Sequence, residues 1–564
     1  MASAVANDRR ALRARRWAPS PMGSLLGLVL AALSVTPSLL PRPTLMQGAL
    51  AAVSFGVGYL IGVLVWAIVR ALLRRRGVRP GPWRWWWIVY AALWLVALAV
   101  LSALALQWQN EVRRAVEMPP LAASDVSGFL LGFLPLVVLL LAIGKGVAAM
   151  ARAFGRRIGP FGAGLASAAI VVLVLGGLVF GAMRAIDGIY LARNGAPDAE
   201  VQEPSSAARS AGPDSAIAWE TLGRHGANFV GGGPSAEEIE ALTGRPALEP
   251  IRVYAGLESA PTIEERAALV VSELERTGAF ERSVLVVATA TGSGWLEPQT
   301  VDAIEYLRGG DTAIAAMQYA YTPSWVSFVF DPDAPVEAAR VLFAAIEERW
   351  LELPEDSRPL LVSYGLSLGA HGSQAVFADL ANLRDRTDGA LFVGSPSGSE
   401  LWRTLQARRD PGSPAWQPVL DGGREVRWIS RAGDEDLLTG PWEEPRVLYL
   451  QHATDPVTWL SGELVFRSPE WLEADQRGDD ISPAMRWIPV VTALQVTIDM
   501  LGGEAVPARH GHNFGDVVVT GWRLVVGDGG TGGTAGTGDG LDAAAIARIQ
   551  AEIESYAPIE PYQE

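Results

Sequence analysis

Ser367 is the centre of a Gly-Leu-Ser-Leu-Gly segment at residues 365–369. Small residues on both sides of a serine allow the sharp, strained turn that raises a nucleophilic hydroxyl toward a substrate. The apolar run at 360–364 predicts a strand before this turn, and a helical pattern follows it. This context predicts that Ser367 is a nucleophile, whereas the simpler interpretation is a serine that only caps the helix.

A histidine must take the proton of such a serine, and a carboxylate must orient that histidine. When the serine comes first in the chain, the acid and the histidine follow it. The chain has five histidines, and His510 and His512 are the two that follow every candidate acid. His512 is preferred because a Gly-His pair shortly before a helix or chain end is the usual setting, and His510 stays the alternative.

Three aspartates are candidates for the acid. Asp455 is preferred because it follows a buried strand-like run at 446–451, which would deliver a carboxylate to the carboxyl edge of a sheet. Asp434 and Asp436 are the alternatives and follow a strand-like run at 426–430. Their acidic turn is also typical of a solvated loop.

Attack on a carbonyl leaves an oxyanion, which needs backbone N–H donors already in place. Leu368 supplies the first donor as the residue after the serine. Gly292 and Ser293 are candidates for the second, although their segment could be a simple turn. This chemistry needs no metal ion or organic cofactor. The chain has no cysteine, which excludes thiolate nucleophiles, disulfides and cysteine-ligated metals.

Strand-like runs and helical patterns alternate from residue 251 onward. Strands are predicted at 251–254, 283–288, 312–321, 359–364, 390–393, 426–430 and 446–451, and helices at 262–277, 336–351, 370–383, 485–500 and 541–556. Strands that alternate with helices predict a mostly parallel sheet covered by helices on both faces. The candidate site is therefore expected on an α/β domain.

The first third of the chain contains five apolar stretches of the length that a helix needs to cross a bilayer, about 20 residues. They lie at about 21–40, 45–73, 85–107, 126–150 and 161–183. The sequence therefore predicts an α-helical transmembrane bundle of five spans. The first stretch could instead be a cleaved signal peptide, but an uncleaved anchor is favoured because no clear small-x-small site closes it.

Charge is distributed unevenly along the chain. Residues 1–187 carry 19 basic and 5 acidic side chains, a net charge of +14, whereas the rest carries 27 and 56, a net charge of −29. Basic loops stay in the cytoplasm, and arginines concentrate in the N-terminal tail and in the second and fourth connections. We therefore expect a multi-pass protein of the inner or plasma membrane, with a cytoplasmic N-terminus and an extracytoplasmic catalytic domain.

The same charges bear on the partners. An acidic body repels phosphate backbones, so nucleic acid is not an expected partner. The expected partners are the lipid bilayer and a small-molecule or lipid ester substrate. Gly56 with Gly58, and Gly177 with Gly181, are typical of closely packed helices and weakly indicate a homo-oligomer formed through the bundle.

These residues and the number of spans together resemble a bacterial family of membrane-anchored α/β-hydrolases with a multi-spanning N-terminal region and a C-terminal catalytic domain. The resemblance covers about residues 21–522. It implies an α/β-hydrolase fold with Ser367 as nucleophile, Asp455 as acid and His512 as base. Many members have Gly-Glu-Ser-Leu-Gly at the turn, whereas this chain has Leu366 before the serine.

Four regions follow from this organisation. They are a transmembrane helical domain at 1–190, an extracytoplasmic connecting segment at 191–250, the catalytic domain at 251–526, and a glycine-rich linker with a helical tail at 527–564. The function expected is that of a serine esterase, lipase or acyltransferase, which acts on a lipid or cell-envelope ester through an acyl-serine intermediate. Two alternatives stay open: a non-catalytic membrane scaffold or transporter-associated protein that keeps the fold, and a serine peptidase that uses the same triad.

Overall fold

The computed structural model of the chain describes residues 19–76, 86–195, 198, 200–527 and 540–556. The helices before the first strand are α1 (Pro21–Leu33), α2 (Thr44–Arg75), α3 (Trp86–Ala115), α4 (Val126–Asn194), α5 (Gly223–Gly231) and α6 (Ala236–Thr243). The strands are β1 (Ile251–Ala255), β2 (Val284–Thr289), β3 (Thr312–Met317), β4 (Leu360–Leu366), β5 (Gly389–Val393), β6 (Val426–Ile429) and β7 (Arg446–Leu450).

Helices separate and follow these strands. They are α7 (Ile263–Arg276), α8 (Pro298–Leu307), α9 (Ser324–Phe330), α10 (Ala334–Leu351), α11 (Leu368–Gln374), α12 (Leu380–Arg386), α13 (Glu400–Ala407), α14 (Pro456–Trp459), α15 (Val491–Met500), α16 (Val517–Val526) and α17 (Ala543–Glu554). Packing divides the described residues into two compact units. The helical unit runs to Met183 and includes Gly462–Pro469 and Ile481–Asp499, and the sheet unit contains the rest.

Three helices are long and apolar enough to cross a membrane in the described part of the chain: Thr44–Arg75, Ile88–Ala115 and Val126–Gly155. The five predicted spans are therefore not confirmed. The first predicted span is a helix of 13 residues, about 20 Å long at 1.5 Å per residue and so shorter than a bilayer core. It ends at Leu33, before Pro37, because proline cannot continue a helix.

The fifth predicted span lies within α4. This helix is interrupted at Gly159, whose φ of 77° and ψ of 166° are not helical. The residues after this break continue as helix to Asn194. A glycine adopts this backbone conformation without the clash that a side chain would cause.

Two late segments of the chain pack within the helical unit, although the sequence predicted residues 251–526 to be one catalytic domain. Gln495 on α15 donates from its Nε2 to the carbonyls of Ser34 at 3.2 Å and Thr36 at 2.9 Å. Asp499 accepts a hydrogen bond from the amide of Leu39 at 3.1 Å. These bonds satisfy backbone groups of the irregular segment that follows α1.

Within the residues that the structure describes, the sheet unit contains seven parallel strands in the order β1-β3-β2-β4-β5-β7-β6. The strands are almost entirely buried, as expected for a parallel sheet that helices cover on both faces. The last two strands are out of chain order, since β7 lies between β5 and β6. Because all strands point the same way, their carboxyl ends meet at one edge, where sheets of this kind bind ligands.

All seven predicted strands are present, and the differences lie in their lengths and in the helices. The strand predicted to reach residue 321 ends at Met317. The helix predicted at 370–383 is divided into α11 and α12. The helix predicted from residue 485 begins at Val491, after Pro489, because proline disfavours helix in the residue before it. Residues 528–539 of the predicted linker lie outside the described residues.

Candidate active site

Ser367 occupies the turn between β4 and α11. Its φ of 56° and ψ of −123° are strained for a residue with a side chain, a conformation that costs about 1–3 kcal/mol and is concentrated at functional sites. Its amide donates to the carbonyl of Val393 at 2.8 Å, which ties the turn to the end of β5. The side chain is half-buried.

The two glycines that flank the turn are required by close packing. A Cβ atom on Gly365 would lie 2.3 Å from the carbonyl oxygen of Gly369. A Cβ atom on Gly369 would lie 2.2 Å from the carbonyl oxygen of Thr289, at the end of β2. Any side chain at either position would force the turn apart, which explains why the motif has glycine at both ends.

Asp455 follows β7 and lies at the N-terminus of α14. It is completely buried. Its Oδ1 accepts from the amide of Val457 at 2.8 Å, and its Oδ2 accepts from Oγ1 of Thr458 at 3.3 Å. The same Oδ2 lies 2.8 Å from Nδ1 of His512. One carboxylate oxygen thus fixes the short helix, and the other faces the imidazole.

His512 lies in the turn between α15 and α16 and is 3% exposed. Its amide donates to the carbonyl of Gly503 at 2.7 Å. Its Nε2, which points away from Asp455, is buried and has no hydrogen-bond partner among the described residues. Such an imidazole is held by one nitrogen and leaves the other available, as a general base requires.

Gly394 connects His512 to the serine turn. A Cβ atom on Gly394 would lie 2.3 Å from Cε1 of His512, so the imidazole packs against this backbone. The preceding residue, Val393, accepts the hydrogen bond from the Ser367 amide. The imidazole and the turn of Ser367 therefore lie at the carboxyl ends of the neighbouring strands β4 and β5.

Carboxylates around His512 determine its protonation. Burial alone would lower its pKa, but the charge of Asp455 and the hydrogen bond to it raise the pKa of His512 to about 9, with smaller contributions from Glu504 and Glu297. Burial raises the pKa of Glu297 to about 7, against the hydrogen bond from Thr300 and the charge of His512. Glu297 was not predicted from the sequence, since it belongs to no motif and its only signal there is its position just after the turn at 291–295.

The alternative histidine and acids do not meet this pair. Nδ1 of His510 lies 3.3 Å from Oδ2 of Asp480. Asp434 accepts hydrogen bonds from the amides of Ser430 and Arg431, which close its own turn. Asp436 is exposed. Among the predicted histidine and acid candidates in the described chain, the structure brings together only His512 and Asp455.

The segment at 291–295 follows β2 and forms a tight turn. The amides of Thr291, Gly294 and Trp295 donate within the turn, whereas those of Gly292 and Ser293 donate to no backbone carbonyl in the described part of the chain. Gly292 has a φ of 51°, a value that favours glycine. The start of α11 packs against the carbonyl of Thr289, so this turn and the amide of Leu368 are next to the same strand end.

No group of three or more metal-ligating side chains occurs among the described residues. The arrangement at the sheet edge consists of a strained serine, a buried imidazole with one nitrogen unpartnered in the described part of the chain, a buried carboxylate and backbone amides. These are the components of acyl transfer through a serine nucleophile.

Comparison with known protein families gives two matches. Residues 251–534, about half of the chain, match an α/β-hydrolase family, and residues 35–234 match the N-terminal region described for an α/β-hydrolase family. No curated protein and no solved structure matches the chain. The resemblance seen in the sequence is thus confirmed at the level of the family, and the two matches cover both the apolar helices and the parallel sheet. The chain belongs to this α/β-hydrolase family.

Proposed function

We propose that the protein is a membrane-anchored serine hydrolase that cleaves or transfers an acyl group of a lipid or cell-envelope ester. The observation that carries the proposal is the 2.8 Å contact between His512 and Asp455. The imidazole of His512 packs against Gly394 at the end of the strand that pairs with the one leading into Ser367, whose φ is positive. Membership of an α/β-hydrolase family supports the same reaction class.

In this proposal the hydroxyl of Ser367 attacks the ester carbonyl carbon while Nε2 of His512 takes its proton. The amide of Leu368 and those of Gly292 and Ser293 donate to the oxyanion. His512 then gives the proton to the leaving alcohol, and the C–O bond breaks to leave an acyl-Ser367 intermediate. Water or an acceptor alcohol reverses these steps and releases the acyl group. Asp455 keeps its hydrogen bond to Nδ1 and stabilises the imidazolium.

Two exposed aromatic side chains on the helix next to the turn at 291–295 are candidates for contact with an acyl chain. The backbone of Gly292 packs against that of Ser324, the first residue of α9. Two large side chains of α9, Trp325 and Phe330, are 39% and 53% exposed. Exposed aromatic side chains are typical of sites that bind apolar ligands.

The reaction is tested with purified full-length protein and p-nitrophenyl esters of short and long chain length, beside peptide anilides. We expect ester hydrolysis that Ser367→Ala reduces by at least about 10³-fold, with no loss in the control Ser357→Ala, an exposed serine of the same unit. Ester hydrolysis that survives Ser367→Ala contradicts the proposal. Cleavage of anilides in preference to esters supports a peptidase instead.

The histidine assignment is tested in the same assay. We expect His512→Gln to abolish ester hydrolysis and His510→Gln to leave most of it, because His510 is paired with Asp480 and not with Asp455. The opposite result would assign the base to His510.

The orientation in the membrane is also part of the proposal: the N-terminus is cytoplasmic and the sheet unit extracytoplasmic. The chain has no cysteine, so a single introduced cysteine is a clean reporter. Asp356→Cys, at an exposed turn, should react with an impermeant maleimide in intact cells, and Arg76→Cys, at the exposed end of α2, should react only after lysis. The reverse pattern contradicts this orientation.

A further inference from the structure

A cavity lies within the helical unit, between α1, α2, α3 and the beginning of α4. The cavity has a volume of about 90 Å³ and is partly open to the surroundings. The walls are mainly apolar, with Ala97, Leu101, Phe129 and Phe133 among the lining residues. Such walls favour a hydrocarbon chain over a polar molecule.

Polar side chains line the cavity where these helices begin or end. Arg42 has a side chain that is 2% exposed, and its Nη1 and Nη2 have no hydrogen-bond partner among the described residues. Gln47 donates from Nε2 to the carbonyl of Ser34 at 3.1 Å, whereas its Oε1 is buried without a partner in the same part of the chain. A buried donor or acceptor left unpaired costs about 1–3 kcal/mol, a cost that a bound molecule with matching oxygens and a hydroxyl would remove.

The two carboxylates near these atoms already have partners. Asp499 lies 3.2 Å from Nε of Arg42 and accepts from two backbone amides. Asp125, which lines the cavity, accepts from Oγ1 of Thr44 at 2.7 Å and from the amide of Gly128 at 2.9 Å. Because Asp499 balances the charge of Arg42, the two terminal nitrogens remain as donors. The ligand group that fits them is an acceptor oxygen, whether or not it carries a full charge.

We propose that this cavity binds a glycerolipid. One acyl chain lies along the apolar walls, and the ester or phosphate oxygens accept hydrogen bonds from Nη1 and Nη2 of Arg42. A hydroxyl of the lipid headgroup donates to Oε1 of Gln47. A glycerolipid carries an apolar chain, acceptor oxygens and, in headgroups such as glycerol, a hydroxyl, and the lining has a counterpart for each of these groups. The proposal does not depend on hydrolysis by Ser367.

The test uses the full-length protein in maltoside detergent with Ser367→Ala as background, so that no probe is hydrolysed. The probe is phosphatidylglycerol with a photoreactive diazirine on one acyl chain, compared with an alkane diazirine of the same length. Adducts are mapped by peptide mass spectrometry. We expect saturable phosphatidylglycerol labelling of α3 and the start of α4, which excess unlabelled phosphatidylglycerol displaces and excess alkane does not.

Two changes locate the site. Ala97→Trp fills the cavity and should reduce this labelling by about tenfold or more, whereas Ala99→Trp, on the same helix but exposed and outside the lining, should not. The double change Arg42→Gln with Asp499→Asn removes the guanidinium without leaving a buried charge unpaired. It should reduce lipid labelling about tenfold, as expected for a lost charge-assisted hydrogen bond, and leave alkane labelling unchanged.

Three results would overturn the proposal. Equal labelling by lipid and alkane, with no effect of the double change, would mean a groove that holds any hydrocarbon. Labelling that Ala97→Trp does not reduce would place the lipid elsewhere. If a variant is not monodisperse on size exclusion, the proposal is judged by the competition experiment on the protein with the unaltered cavity. Failure of unlabelled phosphatidylglycerol to displace the probe then overturns the proposal.

Discussion

Oδ2 of Asp455 and Nδ1 of His512 lie 2.8 Å apart in a buried hydrogen bond. The two residues reach this position from different places, one from the end of β7 and the other from the turn before α16. The carboxylate holds the proton on Nδ1 and turns Nε2 away from itself. This geometry gives the imidazole the tautomer that a serine nucleophile needs.

Asp455→Asn is expected to keep the packing and lose this tautomer. In a serine–histidine–aspartate triad such a change reduces kcat by about 10⁴-fold, and we expect a loss of 10³-fold to 10⁴-fold in ester hydrolysis. The matched control is Asp434→Asn, since Asp434 only closes its own turn. A small effect at Asp455 with a large effect at Asp434 would reassign the acid.

The pH dependence follows from the raised pKa of His512. Only the neutral imidazole accepts the proton of Ser367, and a pKa of about 9 keeps much of it protonated at neutral pH. We therefore expect kcat/KM to rise with pH and to level off only above about pH 9. Glu297→Gln removes one of the negative charges that raise this pKa, so the rise should move to lower pH. A plateau reached by pH 7 would contradict the assignment.

Gly394→Ala should disable the site without replacing a proposed catalytic residue. The new Cβ atom would lie 2.3 Å from Cε1 of His512, at a backbone φ of 55°. The imidazole must move, and we expect a loss of at least about 10²-fold in kcat, as for a misplacement of about 1 Å. Gly398→Ala is the control, since nothing lies within 4 Å of a Cβ atom there. Equal activity in the two variants would contradict the position of His512.

Arg252 is predicted to be essential for the stability of the sheet unit. This buried side chain donates from Nε to Glu305 at 2.8 Å and from Nη1 to the carbonyl of Phe229 at 2.8 Å, and it forms an ion pair with Asp302. Arg252→Met leaves buried carboxylates without their cation, which costs about 3–5 kcal/mol.

Urea unfolding followed by tryptophan fluorescence in detergent measures this loss. The control is Arg403→Met, which removes an ion pair between two exposed side chains and should change the free energy of unfolding by less than about 1 kcal/mol. Equal stability of the Arg252 and Arg403 variants would contradict the role given to the buried network.

Local patterns in the sequence were sufficient to predict the strands and the turn at Ser367. Hydrophobic runs predicted the seven strands. The glycines around Ser367 predicted the turn, where the backbone is strained and the close packing requires glycine. The order of serine, acid and histidine along the chain favoured Asp455 as the acid and His512 as the base. Their assignment as acid and base stays a prediction until activity is measured.

Other features depend on contacts between segments that are distant in the chain, and local periodicity does not encode these contacts. The position of β7 between β5 and β6, the effect of Glu297 on His512, and the pairing of Arg42 with Asp499 are of this kind. The first predicted span was too long because its apolar composition continues past the residue where the helix ends.

The central claim is that Ser367 is an activated nucleophile. The most direct measurement is covalent labelling of the full-length protein by a fluorophosphonate, with the adduct located by peptide mass spectrometry. We predict one adduct, on Ser367, that is lost in His512→Gln and forms normally in His510→Gln. An adduct on another serine, or no adduct in folded protein, would contradict the account and favour a scaffold that keeps the fold without the reaction.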